Sequence, residues 1–362
     1  MKKPLVSIVM SIYDTEKFLD QTLTSIQNQT MGDFECLMVE DGSPDRCGEI
    51  IDGWAAKDPR FKAFHKENGG VVSGWRMGIQ NAAGRWLVIV DSDDGLVPWA
   101  LEAELDTQKQ HPESMVVWQW SSDREELKTR PEQMPVTRRG TDELGRMYLE
   151  SMLYYTWGRL FDLDVIRAAG LLPPLGLIYG SDLIFCVDYM QAALASGQYR
   201  DFAQIDAPLY FYRTDNATSL TTRLRPSYCD DELKTCRYLM DLSAARPEVP
   251  AADLDRVLLH RLRTLAEGIG YVLGGESGFS PEESRRRAEG YLNNATMQEL
   301  MRQCRARKLY SPYLAPLCRG RLEQVCQLWQ LKENDLRQYQ RRYWAGYWLH
   351  FLRTGRRDAP MF

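Results

Sequence analysis

A chain of 362 residues, 44% hydrophobic and 26% charged, is long enough for about two domains, and its composition excludes disorder, collagen-like repeats and a disulfide-built miniprotein. The formal net charge of −5 gives no footing for nucleic-acid binding by the chain as a whole. The charge is uneven: residues 281–362 hold 16 Lys/Arg against 8 Asp/Glu, so a basic tail follows an acidic body. Eight cysteines form no C-x-x-C pair and no zinc spacing with His, which reads as reduced thiols in a cytosolic protein. No run of about 18 apolar residues is present, so no membrane-spanning helix is predicted.

The first third alternates strand and helix. Leu5 to Ile12 is a near-continuous apolar run, the pattern of a parallel strand covered on both faces. It lacks a cleavage site, so it reads as a strand rather than a signal peptide. Phe18, Leu19, Thr22, Leu23 and Ile26 mark one face of a helix. Phe34 to Val39 reads as a second strand, and Ile50, Ile51 and Trp54 as a second helix. A short strand at Phe61 to Phe64 precedes Gly69-Gly70 and a helix through Trp75 and Ile79. Trp86 to Val90 is the next strand, and Pro98 is placed in the first turn of the helix carrying Leu101 and Leu105. Residues 121–141 are polar and Pro-punctuated and read as an excursion; from about Pro226 the pattern is almost wholly helical. Repeated strand–helix units imply a mostly parallel α/β sheet with helices on both faces, and such sheets bind ligands at the carboxyl ends of their strands.

Three acidic segments fall at those ends: Tyr13-Asp14, Glu40-Asp41-Gly42-Ser43 and Asp91-Ser92-Asp93-Asp94. Asp91 and Asp93, two apart on an extended segment, point the same way, as hard oxygen ligands for Mg²⁺ or Mn²⁺ require. A lone D-x-D is weak, and a helix cap ahead of Pro98 explains it equally well. Taken together, the three clusters would gather charge that a cation or ligand must offset.

Several segments resemble family 2 glycosyltransferases, in order and at spacing, over residues 4–222. They are Val6 to Asp14, Leu23 to Thr30, Phe34-Glu35, Val39 to Asp45, Glu67 to Gly70 and Asp91 to Asp94. Trp157 to Phe161, Tyr179 to Phe185, and Leu209 to Arg213 with Ser219 continue the likeness. The resemblance implies a GT-A-type catalytic domain over 1–222, a mostly helical region over 223–362, and inverting transfer of a sugar from a UDP-sugar to a glycan hydroxyl. It implies nucleotide contacts at Ser11, Tyr13, Asp41, Arg76 and Asp91, a metal (Mn²⁺ or Mg²⁺) at Asp93 with Asp91 and Asp94, and Asp182 as catalytic base. Tyr13 suits stacking on uracil and Asp41 suits accepting its N3–H. Asp182 also suits capping the helix of Leu183-Ile184-Phe185. A structural ion pair explains Arg76 equally well. Asp14, Ser11, Glu40, Ser181 and Met77 depart from the family pattern, which bears on sugar specificity more than on activity.

In the tail, Val325, Trp329, Leu336, Tyr343, Tyr347 and Phe351 recur at helical spacing, with Tyr339, Trp344 and Trp348 beside them. Arg337, Arg341, Arg342, Arg353, Arg356 and Arg357 are interleaved, with no acidic residue from Leu336 to Arg357. Such a helix suits the surface of an anionic membrane, which fits a cytoplasmic enzyme working at the inner face on a lipid-linked glycan of a capsule, exopolysaccharide or lipopolysaccharide. It equally suits packing on the catalytic domain or on another subunit of a homo-oligomer. Two other functions compete: a sugar-phosphate nucleotidyltransferase, which wants a glycine-rich basic loop where Ser11 to Glu16 stands, and a nucleotide-sugar-binding scaffold with a decayed site, which retention of Asp41, Asp91, Asp93 and Asp182 opposes.

Overall fold

The computed structural model describes residues 3–216, 225–246 and 248–354; Ser219, Arg356 and Arg357 lie outside the described residues. In chain order the elements begin β1 (Val6–Ile12), α1 (Glu16–Gln27), β2 (Phe34–Asp41), α2 (Cys47–Lys57), β3 (Phe61–Lys66), α3 (Val71–Asn81) and β4 (Trp86–Ile89). Then come β5 (Gly95–Leu96), α4 (Ala100–Gln110), β6 (Ser114–Ser121), β7 (Val136–Arg139), α5 (Leu144–Leu149), β8 (Phe161–Asp162), α6 (Leu163–Ala169), α7 (Ser181–Ala195) and β9 (Asp201–Phe211). The remainder is helical: α8 (Tyr228–Ala244), α9 (Ala251–Leu273), α10 (Pro281–Asn293), α11 (Ala295–Ala306), α12 (Leu314–Cys318), α13 (Leu322–Asn334) and α14 (Leu336–Thr354). Two units result. One comprises Met1–Thr141, Glu150–Leu177 and Ser181–Thr218; the other comprises Asp142–Leu149, Ile178–Gly180 and Ser219–Phe362. The helical unit therefore takes in α5 as well as the tail.

The first unit is built on a five-stranded sheet of order β3-β2-β1-β4-β8, parallel except for β8. All seven residues of β1 are buried, which is why its sequence is nearly unbroken in apolar character. Leu19, Leu23 and Ile26 of α1 cover one face. On α3, Gly74 and Gly78 lie one turn apart against β1. A Cβ at 74 would sit 2.1 Å from Ser11 Oγ, and one at 78 would sit 2.4 Å from Val9 Cγ1, so only glycine admits this approach. A second sheet runs β5-β9-β6, with β7 also on β9.

Three boundaries differ from the sequence reading. β2 continues through Glu40 and Asp41, so the acidic pair closes the strand rather than opening a loop. Pro98 precedes α4, and Trp99 takes the cap position, so Pro98 is not in the first helical turn. The excursion over 121–141 contains β7, an edge strand with a single apolar residue, Val136, and therefore no apolar alternation to reveal it.

The helical unit packs around α9, whose Leu258, Leu262, Leu265 and Ile269 are buried. Trp329 of α13 lies on Gly270 and Gly274 of α9, where an added Cβ would come within 2.4 Å of its Cβ and 2.2 Å of its ring. Ser280 caps α10 by accepting from the Glu283 N–H at 3.2 Å, with Pro281 at the first position. Among the described residues no helix is long and apolar enough to cross a membrane.

Candidate active site

The strand register sets the site. Ile12 of β1 stands opposite Glu40 of β2, so Tyr13 and Asp41 follow side by side at the sheet's carboxyl edge. Tyr13 is 48% exposed, an unusual state for an aromatic ring at the end of a fully buried strand. Asp14 has φ 54°, the left-handed region that Asp and Asn tolerate better than bulkier residues. Its N–H donates to Ser43 Oγ at 2.8 Å, and Ser43 donates to Asp45 Oδ1 at 2.6 Å. These bonds tie the loop after β1 to the loop after β2. Glu40 holds the same loop by accepting from the Ser43 N–H and by lying 3.3 Å from His65 Nδ1.

Asp41 is buried and receives Lys66 Nζ, the Gly69 N–H at 3.0 Å and the Ser73 hydroxyl at 3.3 Å. All three reach Oδ1, so this oxygen is fixed from the end of β3, the loop after it and the first turn of α3, and none of the three takes Oδ2.

The Asp91–Asp94 turn is held from every side by groups far away in sequence. The Thr22 hydroxyl of α1 donates to the carbonyls of Ser92 (3.1 Å) and Asp94 (2.7 Å). The Tyr210 hydroxyl accepts from the Asp91 N–H (3.1 Å) and donates to Asp94 Oδ2 (2.7 Å). The Arg213 N–H donates to Asp94 Oδ1 (2.7 Å), and its Nε donates to the Asp93 carbonyl (2.6 Å). Both Asp94 oxygens are thereby engaged by β9 and the residues after it, and Asp94 does not cap α4. Asp93 Oδ2 accepts from the Asn216 amide at 2.6 Å.

Asp91 keeps part of its surface open to solvent while protein encloses it. Burial, then the negative charges of Asp94, Asp93 and Asp182, push its carboxyl well above the ordinary range, against a hydrogen bond from Trp157. Burial and the Asp93 charge raise Asp94 to about 7. Trp157 is the centre of an aromatic stack, with ring centroids 4.2 Å from Tyr155 and 4.6 Å from Tyr210 and both interplanar angles 7°. Tyr155 is pushed up to about 12 by burial, with Tyr212 and then Asp182 adding to it. Asp182 stands in the first turn of α7, near enough to Asp91 for its charge to act on that carboxyl.

The other two sequence candidates lie elsewhere. The Ser11 side chain is buried beneath α3 against Gly74. Arg76 donates to the Pro173 carbonyl at 2.8 Å, tying α3 to the segment after α6, and is engaged there rather than with an acidic partner. Thr22, Trp157, Tyr210, Arg213 and Asn216 are the supports that sequence reasoning left without a role. Trp157, Tyr210 and Arg213 do lie inside the quoted motifs, whereas Thr22 read only as a helix face and Asn216 carried no signal.

Among the described residues no group of three or more His, Cys, Asp or Glu is arranged to hold a metal by itself. A divalent cation nevertheless fits Asp91 and Asp93. The groups acting on Asp91 are carboxylates and one indole N–H, and Mg²⁺ characteristically takes one or two carboxylates, completing its shell with substrate phosphates and water.

Comparison with known proteins bears on this edge of the sheet. The family model for glycosyl transferase family 2 matches residues 7–166, which run from β1 into α6. Residues 7–166 thus bear the likeness to family 2 glycosyltransferases that the motifs imply. The domain's fold is of the GT-A type: the chain superposes on residues 1–349 of S. aureus TarS, solved in complex with UDP-GlcNAc, with a TM-score of 0.59 at 17% identity over 91% of each chain. The glycosyltransferases EpsJ and EpsH of Bacillus subtilis (strain 168) are 31% and 29% identical to it over 60% and 59% of this chain. The chain spans 63% and 62% of those two relatives' length.

Proposed function

We propose that this chain is a metal-dependent inverting glycosyltransferase that moves a sugar from a UDP-sugar to a hydroxyl of a glycan acceptor. The observation that carries the reading is the gathering of Asp91, Asp93 and Asp182 in one cleft, beside Tyr13 and Asp41 at the ends of adjacent strands. In this reading Tyr13 stacks on the uracil ring, and Asp41, with Oδ1 fixed by Lys66, Gly69 and Ser73, accepts the uracil N3–H at Oδ2. Asp93, with Asp91, holds the divalent cation, which when bound offsets the charge developing on the departing UDP. Asp94, engaged through both oxygens, positions the turn rather than ligating.

Asp182 takes the proton of the acceptor hydroxyl as its oxygen bonds to C1 and the bond from C1 to the UDP oxygen breaks. One base suffices for a single displacement with inversion, and the site needs no carboxylate nucleophile. The Tyr155–Trp157–Tyr210 stack holds Asp91 in place through the Trp157 N–H. The TarS complex with UDP-GlcNAc and the motif resemblance both support a uridine donor. A surface-glycan acceptor follows from the resemblance alone.

Thermal-shift titration with UDP, GDP, CDP and dTDP, with Mn²⁺ or with chelator, tests the reading. The expected result is stabilisation by UDP that needs the metal and disappears in Asp93→Asn. Selectivity for another nucleotide overturns the uracil contacts, and no response to any nucleotide favours the decayed-site scaffold.

A further inference from the structure

Helix α14 carries two distinct aromatic faces. Tyr339, Tyr343 and Tyr347, four residues apart, are buried. Tyr310 lies 5.4 Å from Tyr343 and 6.1 Å from Tyr347 in edge-on contacts, and Gly346 lets its hydroxyl reach the helix backbone. His350 Nε2 lies 2.8 Å from the Lys308 carbonyl on the same side. That face accounts for the helix's place in its own unit.

The opposite face is exposed. Trp344 is 37% exposed, Trp348 50%, Leu349 55% and Leu352 77%. At 100° per residue, Trp348, Leu352, Ala345 and Leu349 fall within one arc of about 100°, with Trp344 at its margin. Arg341 and Gln338 lie inside this arc, Arg337 flanks one side, and Arg342 and Arg353 flank the other; all five are exposed. No acidic residue occurs from Leu336 to Thr354. A hydrophobic stripe bordered by arginines is the pattern of a helix lying in a bilayer interface, where guanidinium groups meet lipid phosphates and tryptophans sit at headgroup depth.

We propose that this outer face of α14 docks the protein on an anionic lipid surface. Charge selects this occupant over a second copy, because two such faces apposed would bring eight arginines together with no acid on either helix. The assignment stands independently of the donor and the chemistry proposed above, since it needs neither nucleotide nor turnover.

The test is flotation of the whole chain with vesicles of phosphatidylcholine alone and with vesicles enriched in phosphatidylglycerol, at low and high salt. The expected result is binding to the anionic vesicles only, weakened by salt. Arg337→Gln/Arg341→Gln/Arg342→Gln should weaken it about a hundredfold, at about fivefold per arginine near the surface. Trp348→Ser/Leu352→Ser should weaken it as well, and brominated lipid should quench tryptophan emission in the wild type more than in Trp344→Phe/Trp348→Phe. These side chains are exposed, so the variants should melt at the wild-type temperature, which separates lost docking from lost folding. Equal flotation by the triple variant, binding to neutral vesicles alone, or no flotation overturns the proposal. So does concentration-dependent dimerisation that the same substitutions abolish, which would make the face a self-contact.

Discussion

The two units bury charge in opposite ways. In the helical unit Arg261 is 2% exposed and its Nη1 donates to Glu232 Oε2 at 2.7 Å, while its guanidinium lies 5.5 Å from the Tyr148 ring centroid. A buried cation is matched there by a buried anion. In the first unit burial and the charges of Asp94, Asp93 and Asp182 raise the proton affinity of Asp91, and burial and Asp93 raise that of Asp94. The first arrangement serves the fold. The second works against it and is sustained by neutral donors from Thr22, Tyr210 and Asn216, together with Arg213. Like charges gathered together are therefore a better pointer to chemistry than charge that is merely buried.

That contrast breaks most sharply at Asp182. Asp182→Asn should cut transfer roughly 10²–10⁴-fold while keeping nucleotide binding. Its melting temperature in chelator reports whether the substitution also disturbs the fold. Unchanged turnover would overturn its role as base. Arg261→Ala should behave oppositely, costing about 3–5 kcal/mol in urea unfolding because Glu232 is left buried without its partner. Arg261→Met/Glu232→Leu should recover most of that loss, and a cost as large as the single substitution's would show that the pair is not the cause.

The next test concerns His260, whose pKa is lowered to about 3 by burial, with the charges of Arg261 and Arg263 adding to it. Arg261 Nη2 lies 3.1 Å from His260 Nδ1; a guanidinium only donates, so Nδ1 accepts and the neutral ring carries its proton on Nε2. The unfolded chain takes up a proton near the ordinary 6.5 and the folded chain does not. His260 therefore costs no stability above that pH, and stability falls as the pH drops towards 3. At pH 5 the loss is about 2 kcal/mol, read as the change in urea midpoint, and His260→Gln should flatten it. The smallest effect is expected at Trp157→Phe, which keeps the ring stack and removes one N–H from Asp91. A loss of about 1.5 kcal/mol in kcat/KM, with the melting temperature near wild type, would mark Trp157 as a positioning residue. An equal loss in stability would make it simply part of the core.

Much of the site was legible because it sits where strands end. Apolar runs locate β1, β2 and β4, and the acids that follow them must share an edge once the sheet is parallel. The placing of Asp41 and Asp91 at that edge is thus readable from pattern and topology, whereas Asp182 is singled out by resemblance alone. The supports were not readable. Thr22 lies 72 residues from Asp94, and Tyr210 lies 116, with no spacing rule linking either pair. Ser11 and Arg76 show the converse, since their positions follow the motif while their side chains serve the α3 packing and the Pro173 carbonyl. α5 joins the helical unit through tertiary contacts such as Gly145 against Asp253, which a six-residue helix does not announce.

Gly74 and Gly78 act as a gauge for the whole mouth of the sheet. Because α3 rests directly on the backbone and short side chains of β1, the depth at which that strand lies is measured against a helix surface without side chains. The strand's last residues lead straight to Tyr13, and the helix's own start is the loop that grips Asp41. A single methyl group at position 74 would therefore alter the spacing between the two walls that are to hold a base, some distance from any atom that touches it. In the function proposed here, affinity for the nucleotide would in this sense be written partly in the absence of a side chain.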